Sequence, residues 1–152
     1  MRLNKVKQLL KYVFFKNKLF FLWLKIIYIT LKSIKDTDAG GIVYYANFLK
    51  FIERARTEMI YQKLGMSHLK INKDYNAFFV VRSCNIKFLK SAKFEDNLSI
   101  HTKVLKKTPV RIKLLQDIKR DGDLLVSSEV ELAIIKSDGS VQKLPEKLIS
   151  KI

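Results

Sequence analysis

The sequence predicts an α+β domain in which an antiparallel sheet of about five strands wraps around one long central helix. Three observations predict it. One stretch carries a 3.6-residue apolar period, and several later stretches favour strands joined by tight turn signals. No alternation of strands with helices of the kind that builds a parallel sheet occurs anywhere. With 152 residues, 48% of them apolar, the chain is long enough for one domain with a true core.

The elements follow in order. Residues 1–22 read as a basic, aromatic extension of unassigned role, and residues 23–152 as a single domain. The apolar run from Tyr12 to Leu31 is interrupted by Lys16, Lys18 and Lys25. A membrane-spanning helix needs about 20 mostly apolar residues, and a lysine near its centre costs about 2.5–3.5 kcal/mol. No small-residue cleavage site follows a clean apolar stretch, which argues against a secretory signal. The run is therefore read as a strand from about Trp23 to Ile34. A second reading places residues 1–31 against a membrane surface as a peripheral contact.

Asp36 to Gly41 reads as a loop, because the paired glycines Gly40 and Gly41 permit positive φ. From Phe48 to Leu64 the apolar positions Phe48, Phe51, Ile52, Ala55, Met59, Ile60 and Leu64 form one helical face. Lys50, Glu53, Arg54, Thr57 and Glu58 form the other, and Gly65 ends the helix. Met66 to Asn76 reads as a loop or short helix. Strands are predicted over Ala77–Leu89, Asn97–Lys106, Val110–Lys119 and Leu124–Lys136. Asp121-Gly122-Asp123 marks a hairpin turn between the last two, and Pro145 starts a short terminal helix. An apolar helix face must be covered, and one sheet curled around it does so economically.

The formal charge is +16, and residues 1–35 hold nine of the 30 basic residues and none of the 14 acids. The other 117 residues carry only +7, so the folded part lacks the charge block of a dedicated nucleic-acid binder. Cys84 is the only cysteine, which excludes an internal disulfide and a Cys-cluster metal site. Its apolar-alternating surroundings predict a buried small side chain. His68, placed in a loop, and His101, placed on a strand, read as solvent-facing residues. No Gly-rich phosphate loop is present.

The stretch DTDAGGIVYYANFLKFIERARTE, Asp36 to Glu58, resembles the signature of hotdog-fold acyl-CoA thioesterases. The nearest group is similar to the YbgC-type enzymes associated with the Tol–Pal system, and 4-hydroxybenzoyl-CoA thioesterase is a more distant likeness. The pattern is Asp-x-Asp-x-x-Gly-x-Val-Tyr-His/Tyr-x-Asn followed by Glu-x-Ala-Arg. It is met at Asp36, Asp38, Gly41, Val43, Tyr44, Tyr45, Asn47, Glu53, Ala55 and Arg56. A second stretch, from Val80 to Val104, is similar to the family's strand pair, with Ser91 where proline is usual. The resemblance spans about Asp36 to Leu144. It fails before Asp36, where Leu31 to Lys35 replaces the family's usual Arg-Val-Tyr-Tyr-Glu-like strand.

The resemblance implies a hotdog fold and hydrolysis of acyl-CoA thioesters. It implies that Asp38 is the catalytic carboxylate, acting on water as a base or attacking the thioester carbon itself. The start of the long helix offers free amides to an oxyanion, and by resemblance the Tyr45 N–H is the donor. Gly41, Val43, Tyr44 and Asn47 would shape the substrate site. Arg54, Lys87 and Lys90 would meet the coenzyme A phosphates, or else be solvated charges. Glu53 and Arg56, three apart on a helix, suggest a local ion pair. No metal and no cofactor is implied, and no nucleic acid. The expected partners are acyl-CoA and a second copy in a homodimer or homotetramer, with acyl carrier protein as a further candidate. The expected location is the cytoplasm, including the inner face of the membrane. The alternative function is a non-catalytic hotdog protein that binds acyl-CoA or acyl carrier protein.

Overall fold

The computed structural model describes residues 24–30, 37, 38 and 40–152. The expected 1–22 extension, the Trp23 and Ile34 limits of the first strand, and Asp36 lie outside them. The elements are β1 (Leu24–Thr30), α1 (Tyr45–Leu64), α2 (His68–Tyr75), β2 (Phe78–Phe88), β3 (Asn97–Thr108), β4 (Arg111–Arg120), β5 (Asp123–Ile135) and α3 (Glu146–Ile149). Among the described residues the sheet has five strands in the order β1-β3-β4-β5-β2, with every neighbouring pair antiparallel and β1 and β2 at its edges. Among the described residues, no helix is long and apolar enough to cross a membrane.

α1 forms where the apolar period placed it. All seven apolar positions from Phe48 to Leu64 are buried, while Lys50, Glu53 and Arg54 are exposed. The helix ends at Gly65, whose φ of 67° lets its N–H donate to the Tyr61 carbonyl at 2.8 Å. The segment left open between loop and short helix is α2, because Ser67 caps it by accepting the Lys70 N–H at 3.3 Å. The β4–β5 hairpin turns on Asp121 and Gly122, at φ 50° and 91°, the positive pair that a two-residue turn requires.

The concave face of the sheet and α1 enclose the core in two apolar clusters. One gathers Phe48, Phe51, Ile52 and Ala55 of α1 with Leu98, Ile100, Ile118 and Val126. The other gathers Met59, Ile60 and Leu64 with Ile112, Leu114, Val130 and Leu132. Between them runs a buried polar row across three neighbouring strands. Thr102 pairs in register with Gln116, and Gln116 with Ser128, and all three are at most 1% exposed. Gln116 bonds across to Arg56 on α1, at 3.0 Å.

Three expectations need correction. Cys84 is exposed rather than buried, because β2 is an edge strand and its register shifts at a bulge between Val81 and Ser83. His68 is the first residue of α2, not a loop residue. Nor does it face solvent freely: its ring packs edge-on against Tyr61 at 4.8 Å and beside Phe79 at 5.8 Å. Among the described residues, its Nε2 is a buried side-chain polar atom without a hydrogen-bond partner. His101 is half-buried on the outer face, with its Nε2 3.1 Å from the Ser99 hydroxyl.

Burial, and then the nearby Arg56 charge, hold His68 below its ordinary pKa of 6.5. The unfolded chain thus binds a proton more readily than the folded one, so stability falls as pH drops below about 6.5. The loss stops once pH is below the folded-state value. His101, lowered by burial and Lys119, adds to the same trend. His68→Phe keeps the ring contacts and removes the proton site. Melting temperatures measured from pH 7.5 to 5 are expected to decline less in that variant than in the wild type.

Candidate active site

Asp38 lies in a tight loop just ahead of α1. Its N–H donates to the Ile42 carbonyl at 2.8 Å, and its own carbonyl accepts from Gly41 at 3.0 Å. Thr37 bridges Val43 in antiparallel fashion, closing the turn. Gly41, at φ 72°, supplies the left-handed conformation that the turn needs. The loop is tied to the β2–β3 connection: the Val43 N–H donates to the Ala92 carbonyl at 2.8 Å, and Ile42 bridges Lys93. Asp38 is exposed, and its Oδ1 accepts the Gly40 N–H at 2.8 Å. This is the Asx turn that short carboxylates favour.

α1 begins two residues after Val43. Its N-cap, Tyr44, makes no side-chain hydrogen bond to the helix, and the first turn contains no acid. The Asn47 N–H goes to the Tyr44 carbonyl at 2.9 Å. The amides of Tyr45 and Ala46 thus stand at the positive end of the helix without an intrahelical acceptor. An exposed carboxylate and an uncapped helix start are consequently set on one short segment, joined by the Asp38–Ile42 hydrogen bond. Such a pair can activate a nucleophile on one side and receive negative charge on the other.

Aromatic rings surround the helix start. Tyr44 and Tyr45 lie 4.7 Å apart, Tyr45 meets Phe88 edge-on at 6.1 Å, and Phe88 is 6.0 Å from Phe48. A hydrogen bond with Tyr45 raises the Tyr44 pKa above its ordinary value. Tyr44, Tyr45 and Phe88 remain 44–59% exposed, which leaves an apolar shelf open beside the uncapped amides. Val43 and Asn47, on either side of Tyr44 and Tyr45 in the chain, are buried at 4% and 3%.

The cationic candidates do not converge there. Arg54 is exposed on the outer side of α1. Lys87 pairs with Ser127 and points opposite to its neighbours Ile86 and Phe88, which face α1. Lys90 is held by Asp123 at 2.9 Å. Phe88 is a site residue that the sequence reading missed. The period-two signal over Ala77–Leu89 was the available clue, but the bulge after Val81 breaks its phase. Glu53 and Arg56 do form the expected ion pair, with Arg56 buried.

Gly40 adjoins the carboxylate closely. A Cβ placed there would sit 3.2 Å from Asp38 Oδ1, tight enough to move it. Gly40→Ala is expected to lower kcat for the reaction proposed below by about tenfold, since small misplacements of reacting groups are costly. Steady-state kinetics beside thermal melting check this.

A long helix packed on an antiparallel sheet is the arrangement of the hotdog fold. Residues 40–127 match the family model of the Thioesterase superfamily, and the chain belongs to that family. It is 34% identical over 101 residues to the acyl-CoA thioesterase YbgC of Haemophilus influenzae, covering 66% of this chain and 74% of that one. It is 30% identical over 121 residues to the acyl-CoA thioester hydrolase YbgC of Escherichia coli O157:H7, covering 77% and 87%. Among solved structures, a probable thioesterase from Bartonella henselae superposes with a TM-score of 0.74 at 30% identity, covering 80% of this chain and 99% of that one.

Proposed function

We propose that this protein hydrolyses acyl-CoA thioesters to the free acid and coenzyme A, with Asp38 as the reacting carboxylate and the Tyr45 amide as oxyanion donor. The observation that carries this reading is the Asp38 loop, hydrogen-bonded to Ile42 three residues ahead of an uncapped helix start. A thioester carbonyl seated on the shelf of Tyr45 and Phe88 would present its oxygen to the helix amides. The carboxylate takes a proton from attacking water, or attacks the carbon itself. In either route the negative charge on the carbonyl oxygen is received at the helix start. Collapse breaks the carbon–sulfur bond and releases the coenzyme A thiolate, which then takes up a proton. In the direct-attack route the acyl group stays on Asp38 as an anhydride, which water cleaves to free the acid and restore the carboxylate. The names of the YbgC relatives support the substrate class.

The protein is proposed to act as a homodimer or homotetramer. β2 is an edge strand with Val81, Phe88 and Cys84 exposed, and unpaired strand edges with apolar side chains invite a second chain. The exposed thiol accords with a reducing compartment such as the cytoplasm. Arg54 remains a proposed contact for the coenzyme A phosphates, as do Lys87 and Lys90. Membrane contact through residues 1–31 remains a proposal: residues 1–23 and 31 lie outside the described residues, and residues 24–30 form β1.

The test is a thioester-cleavage screen over short-chain, long-chain and aromatic acyl-CoAs, with release of free thiol as the readout. Turnover of at least one class is expected. Tight acyl-CoA binding with no cleavage across the panel would sink the enzymatic reading in favour of a binding role.

A further inference from the structure

We infer that the buried row Thr102–Gln116–Arg56 fixes where α1 sits along its own axis, and so sets the Tyr45 amide against Asp38. This makes Gln116 a positioning residue, and the inference rests on the proposed thioester hydrolysis. The site is held at two places: the Asp38 loop is fastened to the β2–β3 connection through Val43 and Ala92, and α1, which carries the amides, is fastened to the sheet at Ile52 and Arg56.

Apolar packing holds α1 on the sheet, but such packing is non-directional and tolerates sliding. Hydrogen bonds have defined lengths and angles and do not. Gln116 spends its whole side-chain amide on this purpose. Its Nε2 donates to the Ile52 carbonyl of the α1 backbone and to Thr102 Oγ1, each at 3.0 Å. Its Oε1 accepts from Arg56 Nη1 at 3.0 Å, and Arg56 Nη2 donates to Glu53 on the preceding turn. The Gln116 backbone carbonyl accepts the Ser128 hydroxyl at 3.0 Å, which steadies the strand behind it. The helix is thus gripped at a main-chain and a side-chain point one turn apart.

Ile52 is seven residues beyond Tyr45, about 10 Å along a stiff helix. A shift at the grip therefore reaches the amides undiminished. An apolar row of similar volume would often be no less stable than a buried polar one. Here the polar row stands between the two apolar clusters, at the level where it can choose one axial position among several.

The experiment compares wild type with Gln116→Met, Thr102→Val and Thr102→Ser. It reads kcat, KM and peptide-level hydrogen exchange over residues 46–52. Gln116→Met is expected to lose about 100-fold in kcat, the scale of an ångström-sized misplacement, with KM little changed. Thr102→Val should show a smaller loss and Thr102→Ser a return to near wild-type rate, because the serine hydroxyl still accepts from Gln116. Exchange over 46–52 should quicken in the same order. Wild-type kcat in a folded Gln116→Met overturns the inference, as does equal loss in Thr102→Val and Thr102→Ser. If Gln116→Met fails to fold, the two Thr102 variants decide. If the wild type cleaves no acyl-CoA, the enzymatic reading falls and exchange alone judges the anchoring: faster exchange in Thr102→Val than in Thr102→Ser upholds it, and equal exchange overturns it.

Discussion

Asp38→Asn is expected to lower kcat for acyl-CoA hydrolysis by about 10²–10⁴-fold, the usual contribution of a positioned acid–base group. The substitution is clean because of what Asp38 does for the loop. Its Oδ1 accepts the Gly40 N–H, and an asparagine oxygen accepts the same bond. The Asp38–Ile42 and Gly41–Asp38 hydrogen bonds are main-chain and do not change. The side chain is exposed, so stability should stay within about 0.5 kcal/mol of wild type. What disappears is the negative charge and its ability to take a proton or attack a carbonyl. Hydrolysis kinetics and thermal melting together check the prediction. Undiminished turnover would mean that the reacting group lies elsewhere, and Asp38 would then be a turn residue only.

The largest effect on stability is expected at Leu114. Its side chain is fully buried on β4, facing the half of the core built from Met59 and Ile60. Leu114→Ala should cost about 2–5 kcal/mol, the transfer loss plus the cavity left behind. Its neighbour Leu115 faces the other side of the sheet and is only half-buried. Leu115→Ala should therefore cost distinctly less, although the chemical change is identical. Urea denaturation of the two variants gives the comparison. Equal shifts in the midpoint would mean that the face assigned to β4 is wrong.

The Leu114–Leu115 pair shows how far one-dimensional reading reaches. The strand was visible over Val110–Lys119, although its alternation is less clean than its neighbours'. In the structure Ile112, Leu114, Gln116 and Ile118 share the buried face, where a polar amide is costly without partners. Only the structure supplies those partners, because they come from α1 and β3, 64 and 14 residues away. The candidate site divides in the same way. The loop and the helix start were legible because Asp38, Gly41 and Tyr45 lie within one short segment, where turn and helix signals are written in consecutive residues. Phe88 was not, nor was the outward direction of Lys87, since both depend on a bulge that shifts the phase of β2. Cys84 was misplaced because an alternating pattern does not say whether a strand is central or at an edge.

The sequence by itself determined the long helix, its glycine stop, the order of the strands along the chain and the acidic loop that opens the site. Each of these is local: a period, a cap or a turn written in consecutive residues. The tertiary structure alone decided which strands became edges, which charges point away from the helix start, and how a polar row divides the core. Those depend on contacts between residues far apart in the chain, and no spacing within a single stretch encodes them.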